Sequence, residues 1–143
     1  MEHGDHGEHR AAERTPNVIT EATIGAAIKV HRQLGPGLLE SAYEACLAFE
    51  LSRQGYGVER QKILEIRYDG MVIDEGYRID LLINDTVVVE LKAIARLEPV
   101  HEAQLLSYVR LAQKPVGLLI NFHVTRLVDG VRRVISGPHS LSL

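Results

Sequence analysis

Residues 78–92 read Arg78-Ile79-Asp80-Leu81-Leu82-Ile83-Asn84-Asp85-Thr86-Val87-Val88-Val89-Glu90-Leu91-Lys92. Two apolar runs flank a polar Asn-Asp-Thr, which predicts two strands, Tyr77 to Ile83 and Val87 to Lys92, joined by a tight turn. Apolar side chains fill consecutive positions in both runs, so both faces of these strands are expected to be covered, as in the interior of a layered α/β sheet. Against that background Asp80, Glu90 and Lys92 stand out. An ionised group in a central strand is costly unless it is paired or bound to a metal, and a sequence tolerates it there mainly for a site.

The register decides whether these groups meet. Glu90 and Lys92 are two apart and project from one face of a strand. Asp80 joins them only if it lies opposite Glu90, which requires a three-residue loop, Asn84-Asp85-Thr86. A two-residue Asn84-Asp85 turn would pair Asp80 with Val89 and send Glu90 to the other face. No glycine follows Asp85, so the two-residue signal is weak; a bulge would also bring the acids together. Two carboxylates meeting on neighbouring strands make a hard, all-oxygen donor set suited to Mg²⁺ or Mn²⁺. A lysine beside them can stabilise charge on a phosphate oxygen, or help orient and deprotonate a bound water. The competing reading is a buried ion pair of Lys92 with Asp80 or Glu90, which leaves one acid unexplained.

Outward from this pair the chain reads as alternating layers. Helical spacing runs from Asn17 to Leu34 and stops at Gly35-Pro36-Gly37, where glycine suits the C′ position and proline cannot continue the turn. A second helix is expected from Leu38 to Gln54, with Leu39, Tyr43, Cys46, Leu47 and Leu51 as its apolar stripe. A strand is expected from Lys62 to Tyr68, then a hairpin at Asp69-Gly70 and a return over Met71 to Asp74. On the other side, Pro99 opens a helix to about Gln113, Val116 to Phe122 reads as a buried strand, and Val131 to Ser136 as an edge strand. The order predicts an α/β domain with a mixed sheet.

Composition sets the outer bounds. The 143 residues are one domain's worth, and 45% hydrophobic with 24% charged is enough to bury a core. No apolar run is long enough for a membrane span, and the first residues lack the apolar region of a secretory leader. A single cysteine, Cys46, excludes an intramolecular disulfide and a CxxC zinc site and fits the reducing cytoplasm. The net charge of −3 argues against holding long nucleic acid by bulk charge. Residues 1–15 read as a disordered tail and 16–143 as a single domain. The tail carries His3, His6 and His9 among Glu2, Asp5 and Glu8, a loose metal-binding tract or simply a solvated segment.

Further candidates are less marked. Glu40 sits in the first turn after the Gly-Pro-Gly break, where the helix dipole favours a carboxylate, and on this alone it is an ordinary first-turn glutamate sharing a face with Tyr43 and Glu44. His101, Gln104 and Tyr108 share one polar face of the third helix, which is a substrate-facing stripe or a solvated one. His31 and His123 are isolated and read as satisfied histidines, and Cys46 as core. Gly35 and Gly37 belong to no phosphate-binding loop, because the GKS/T signature is missing.

The same residues carry a family pattern. Gly37-Leu38-Leu39-Glu40-Ser41-Ala42-Tyr43 matches a GxxExxY signature, and VHRQLGPGLLESAYE, GYRIDLLI, VVVELKA, PVHEAQLLSYVRL and GLLINF follow in order. The chain resembles the GxxExxY family, a small prokaryotic group related to the PD-(D/E)XK nuclease superfamily, over about residues 18 to 135. The resemblance implies a restriction-endonuclease-like core, a mixed central sheet flanked by helices. It implies that Asp80 is the motif aspartate and Glu90-Leu91-Lys92 the ExK triplet, with Asp80, Glu90, the Leu91 carbonyl and Glu40 as metal ligands for Mg²⁺ or Mn²⁺. It further implies that Gln104 acts at the reacting centre beside Lys92, with Tyr108, His101 and Tyr43 as substrate-binding residues. The expected function is a metal-dependent phosphodiesterase acting on DNA or RNA in the cytoplasm. A non-catalytic nucleic-acid or protein-binding module that keeps the fold is the alternative. One site per chain means that cutting two strands needs two copies, as in a homodimer.

Overall fold

A computed structural model describes residues 14–137. The histidine tract lies outside them, while Arg14 and Thr15, placed by the sequence in the tail, are docked. The Arg14 guanidinium lies 4.0 Å from the centre of the Tyr56 ring and donates to the Gly55 carbonyl. Thr15 caps the first helix, α1 (Pro16–Leu34), by accepting the Val18 N–H on its hydroxyl. Pro16 occupies the first turn, where no N–H is needed. The helix ends at Gly35, whose φ of +70° is a left-handed value that favours glycine. After the Gly-Pro-Gly turn, α2 (Glu40–Arg53) begins with Glu40 as its first residue.

Five strands form the main sheet in the order β1-β4-β5-β6-β7: β1 (Val58–Ile63), β4 (Arg78–Ile83), β5 (Val87–Lys92), β6 (Val116–Asn121) and β7 (Val131–Ile135). β5 and β6 run parallel, and the other neighbours are antiparallel. The crossover between the parallel pair is α3 (Pro99–Ala112), as parallel neighbours require. The expected mixed sheet flanked by helices is what the chain forms. α1 and α2 cover one face, packing Ile19, Ala27, Tyr43, Leu47 and Leu51 against Leu81, Ile83, Val89 and Leu91. α3 covers the other, with Leu105, Tyr108 and Val109 against Leu82, Val88 and Leu119. Its approach to the sheet depends on Gly117, where an added Cβ would lie 2.6 Å from Val109 and 2.8 Å from Leu105.

One predicted element is corrected. The strand expected over Lys62 to Tyr68 is two strands in two sheets. β1 starts at Val58 and ends at Ile63, and β2 (Ile66–Tyr68) pairs only with β3 (Met71–Ile73). Between them Leu64 turns inward to bury its side chain, and its N–H donates to the Tyr77 carbonyl. That inward anchor ends one ladder and starts the other. The Asp69-Gly70 turn is as expected: Tyr68 pairs with Met71, and φ values of +52° and +81° give the positive pair that a two-residue hairpin needs. A short 3-10 helix, Leu127–Gly130, links β6 to β7.

Candidate active site

The β4–β5 turn takes the three-residue form. Ile83 pairs with Val87, Leu82 with Val88 and Leu81 with Val89. Asn84 and Asp85 both adopt left-handed φ, near +50°, which these two residue types tolerate. Continued by one step, this register sets Asp80 opposite Glu90. The ladder stops there, and side chains replace it. The Asp80 N–H donates to Glu90 Oε2 at 3.0 Å, and the Leu91 N–H donates to Asp80 Oδ2 at 2.8 Å. Each carboxylate thus satisfies a backbone donor released where the strands part. The alternation of β4 breaks at the same point, because Ile79 and Leu82 both join the α3-side cluster.

A second irregularity holds Asp80 from the β1 side. The β1–β4 pairing steps from Arg60–Leu81 to Lys62–Ile79 and omits Gln61. Gln61 has φ +52°, a left-handed value unusual for a glutamine inside a strand. Its amide Nε2 donates to Asp80 Oδ1 at 3.3 Å and to Glu44 Oε1 at 2.7 Å. Glu44, itself buried, also accepts from Arg60 Nε at 3.1 Å. Sequence reasoning passed over Gln61, because nothing in its residue type marks a left-handed strand residue. Glu44 had a signal, its place one turn after Glu40 on the same face.

The electrostatics follow from burial and crowding. Glu90 is only 6% exposed, and its carboxyl is pushed up to about 8, first by burial and then by the Asp80 charge. The Asp80 N–H and the Lys92 charge oppose that shift, and the Glu40 charge adds to it. Asp80 is raised as well, by burial above all, against the pull of the Leu91 N–H. Neither acid is in an ion pair among the described residues. Lys92, half-buried, and Glu40, exposed at the start of α2, act on Glu90 through charge and form no hydrogen bond with it. The buried ion pair considered from the sequence is therefore not formed.

Two adjoining carboxylates with hard oxygen donors and no cationic partner among the described residues, Glu90 buried and Asp80 half-buried, fit a divalent cation of the Mg²⁺ type, which binds through one or two carboxylates and keeps several waters. Among the described residues, no three His, Cys, Asp or Glu side chains converge tightly enough to form a complete cage by themselves.

The remaining candidates divide. Tyr43 is corrected: expected at the substrate, it is fully buried and stacked on Phe122 with ring centres 4.3 Å apart. Its hydroxyl donates to the Gly35 carbonyl at 2.6 Å and accepts the Leu38 N–H at 3.1 Å. It braces the turn that delivers Glu40 and touches no solvent. His101 accepts the Glu98 N–H on Nδ1 at 2.8 Å, which commits that nitrogen to the start of α3. Gln104 Nε2 donates to the Tyr108 hydroxyl at 3.2 Å. Burial raises the Tyr108 phenol above its ordinary pKa, and the Glu90 charge adds to this, so the ring lies within electrostatic reach of the acids. Tyr108 also meets Tyr77 edge-on, with centres 6.1 Å apart. His31 is a satisfied histidine, bonded to the Val124 carbonyl through Nε2. Cys46 packs half-buried against the core.

No curated protein and no solved structure gives a significant match to the chain. A family model does, that of the PD-(D/E)XK nuclease superfamily, over residues 17–134. That span runs from the first turn of α1 into β7 and takes in both carboxylates at the strand split. By this match, the chain belongs to the PD-(D/E)XK nuclease superfamily.

Proposed function

We propose that this protein is a divalent-metal-dependent nuclease of the GxxExxY branch, hydrolysing phosphodiester bonds at the split between β4 and β5. The observation that carries the reading is the reciprocal hold of Asp80 and Glu90 on each other's strand, which fixes a half-buried and a buried carboxylate side by side with no ion-pair partner among the described residues. Asp80 and Glu90, with the Leu91 carbonyl and Glu40, would hold Mg²⁺ or Mn²⁺. Bound there, the ion supplies Lewis-acid polarisation of a phosphate oxygen and lowers the pKa of its water.

The chain's own groups divide the rest of the work. Gln61 keeps Asp80 Oδ1 in place through its amide. Lys92 Nζ, unpaired among the described residues, donates to a non-bridging phosphate oxygen and stabilises the charge that grows there. Gln104, exposed beside the tyrosine pair, offers its amide to the phosphate or to Lys92. Removing one such electrostatic donor costs about a hundredfold or more in rate.

The test is cleavage of single-stranded, duplex and branched DNA and RNA with Mg²⁺ or Mn²⁺. Asp80→Ala and Lys92→Ala are each expected to abolish it. Cleavage that survives both substitutions, or no cleavage of any of these substrates by the wild type, overturns the reading.

A further inference from the structure

Two cavities lie end to end between α3 and the β1–β2 arm. The first, about 440 Å³, is walled by Tyr77, Tyr108, Ile66 and Val100, with Gln104 and Ser107 as polar contacts. Leu111 lines both cavities, so they adjoin along α3. The second, about 950 Å³, runs on past Leu111 to the C-terminal end of α3.

The two halves differ in chemistry. The first has no carboxylate and no Lys or Arg in its lining. Its mouth is apolar and uncovered: Tyr77 is 43% exposed and Val100 66%. Tyr108, only 8% exposed, forms the inner wall and lies within electrostatic reach of Asp80 and Glu90. The second half is cationic, with Lys62, Arg67, Arg110 and Lys114 set against Glu59, Glu65 and Asp85, while Arg60 is held by Glu44. This excess of positive charge sits on a chain whose net charge is −3. Lys62, Arg67 and Lys114 pair with the three acids of the lining. Surface pairs of this kind are weak, and their cations remain able to take a phosphate. Arg110 forms no ion pair among the described residues, and its buried Nε has no hydrogen-bond partner there.

Apolar aromatic walls followed by a cationic trough match a single nucleic-acid strand, whose bases stack on aromatic faces while its phosphates follow the cations. A duplex does not match: its bases are stacked inward and cannot reach Tyr77 or Tyr108. From this arrangement we infer that the groove between α3 and the β1–β2 arm binds a single strand of DNA or RNA, seating an unpaired base on the exposed Tyr77, which the buried Tyr108 backs edge-on, and the neighbouring phosphates along Lys62, Arg67, Arg110 and Lys114. This rests on the nuclease reading for the identity of the polymer, and it narrows the substrate to single-stranded or locally unpaired nucleic acid.

The test is binding to the full chain in a chelator, so that cleavage plays no part. Fluorescein-labelled single-stranded DNA, single-stranded RNA and blunt duplex of one sequence are compared by anisotropy across a salt series. At least one single strand is expected to bind ten times more tightly than the duplex. Lys62→Glu with Arg67→Glu, both on exposed side chains, is expected to weaken that binding about tenfold or more and to lower the salt slope by about 1.4, the share of two phosphates on a single strand. Tyr77→Ala is expected to abolish quenching of a 2-aminopurine base in the bound strand, and Tyr77→Phe to preserve it. Equal or tighter duplex binding, or an unchanged salt slope in the double variant, overturns the groove. If the single strand binds as expected but no substrate is cut when metal is added, the nuclease reading fails and the groove stands. If the wild type cuts duplex and single strands alike, with KM unchanged in the double variant, the groove fails and the nuclease reading stands.

Discussion

Asp80 and Glu90 are held across the opening between β4 and β5, the Asp80 N–H on Glu90 Oε2 at 3.0 Å and Asp80 Oδ2 on the next N–H along β5, that of Leu91, at 2.8 Å. The strands part where a ligand needs access, and each acid replaces a missing ladder bond. The same bonds bring a buried and a half-buried carboxylate together, so ionising both carries an electrostatic penalty that a cation would relieve.

That penalty has a pH signature. The Glu90 carboxyl rises on folding from about 4.5 to about 8. An acid raised in this way binds its proton more tightly in the native state. Its contribution to stability is therefore fully present below about pH 4.5 and is lost as the pH rises toward about 8. Glu90→Gln stays neutral and can still accept the Asp80 N–H. Metal-free Glu90→Gln is expected to melt several degrees above the wild type at about pH 8.5, with the gain vanishing near pH 4.5. Thermal melts at the two pH values check this.

Divalent cation should reverse the order. A ligand that binds only the native state adds about 2.7 kcal/mol at a hundred times its Kd. Millimolar Mn²⁺ is expected to raise the melting temperature of the wild type and leave that of Asp80→Asn and Glu90→Gln unchanged. EDTA is expected to return the wild type to its starting value. Calorimetric titration of the three proteins gives the same comparison directly.

Gln61 separates backbone strain from side-chain positioning. Gln61→Gly relieves the φ of +52° but removes the amide that reaches Asp80 and Glu44. It is expected to keep or gain stability while losing about tenfold in Mn²⁺ affinity. Gln61→Asn tolerates the left-handed backbone and keeps an amide, and is expected to recover part of that loss. Equal Mn²⁺ affinity in the glycine variant would reduce Gln61 to a local break in the strand pairing.

Tyr43→Phe keeps the stack on Phe122 and removes the hydroxyl that serves Gly35 and Leu38. Leaving those groups unpaired is expected to cost about 1–3 kcal/mol in denaturant unfolding. If Glu40 assists the metal site, kcat falls as well, while KM for the substrate is unchanged because the ring touches no solvent.

At acid pH a different group governs. Glu50 accepts from Arg53 and Lys29, which together hold its carboxyl down at about 2. A depressed acid stabilises the fold above about pH 4.5 and loses that contribution as the pH falls toward about 2. Glu50→Gln is expected to flatten the acid limb of the stability profile without touching the alkaline one. An unaltered acid limb would show that the two contacts of the buried Glu50 contribute nothing.

Much of this was legible in the residues. The covered strands and the Asp69-Gly70 hairpin follow from apolar runs and from turn residues, while the three-residue β4–β5 turn was one of the readings the residues left open. β1 was hidden because five of its six residues are exposed: an edge strand carrying charge shows no alternation to read. Tyr43 misled for another reason. A motif tyrosine beside a candidate acid looks chemical, yet its ring completes the core and its hydroxyl closes a turn. Gln61 had no signal, because a left-handed strand residue is set by what the neighbouring strands require of it.

The sequence by itself determined the layer order and the three charged positions that do not belong in a core, since burial and strand periodicity are local and leave their mark residue by residue. Only the tertiary structure decided that the β4–β5 ladder opens at Asp80 and Glu90, that Gln61 and Glu44 close on Asp80 from a distant strand and helix, and that a groove runs beside them along α3. Those facts depend on packing between segments far apart in the chain, where one left-handed residue redirects a side chain, and no run of neighbouring residues encodes that contact.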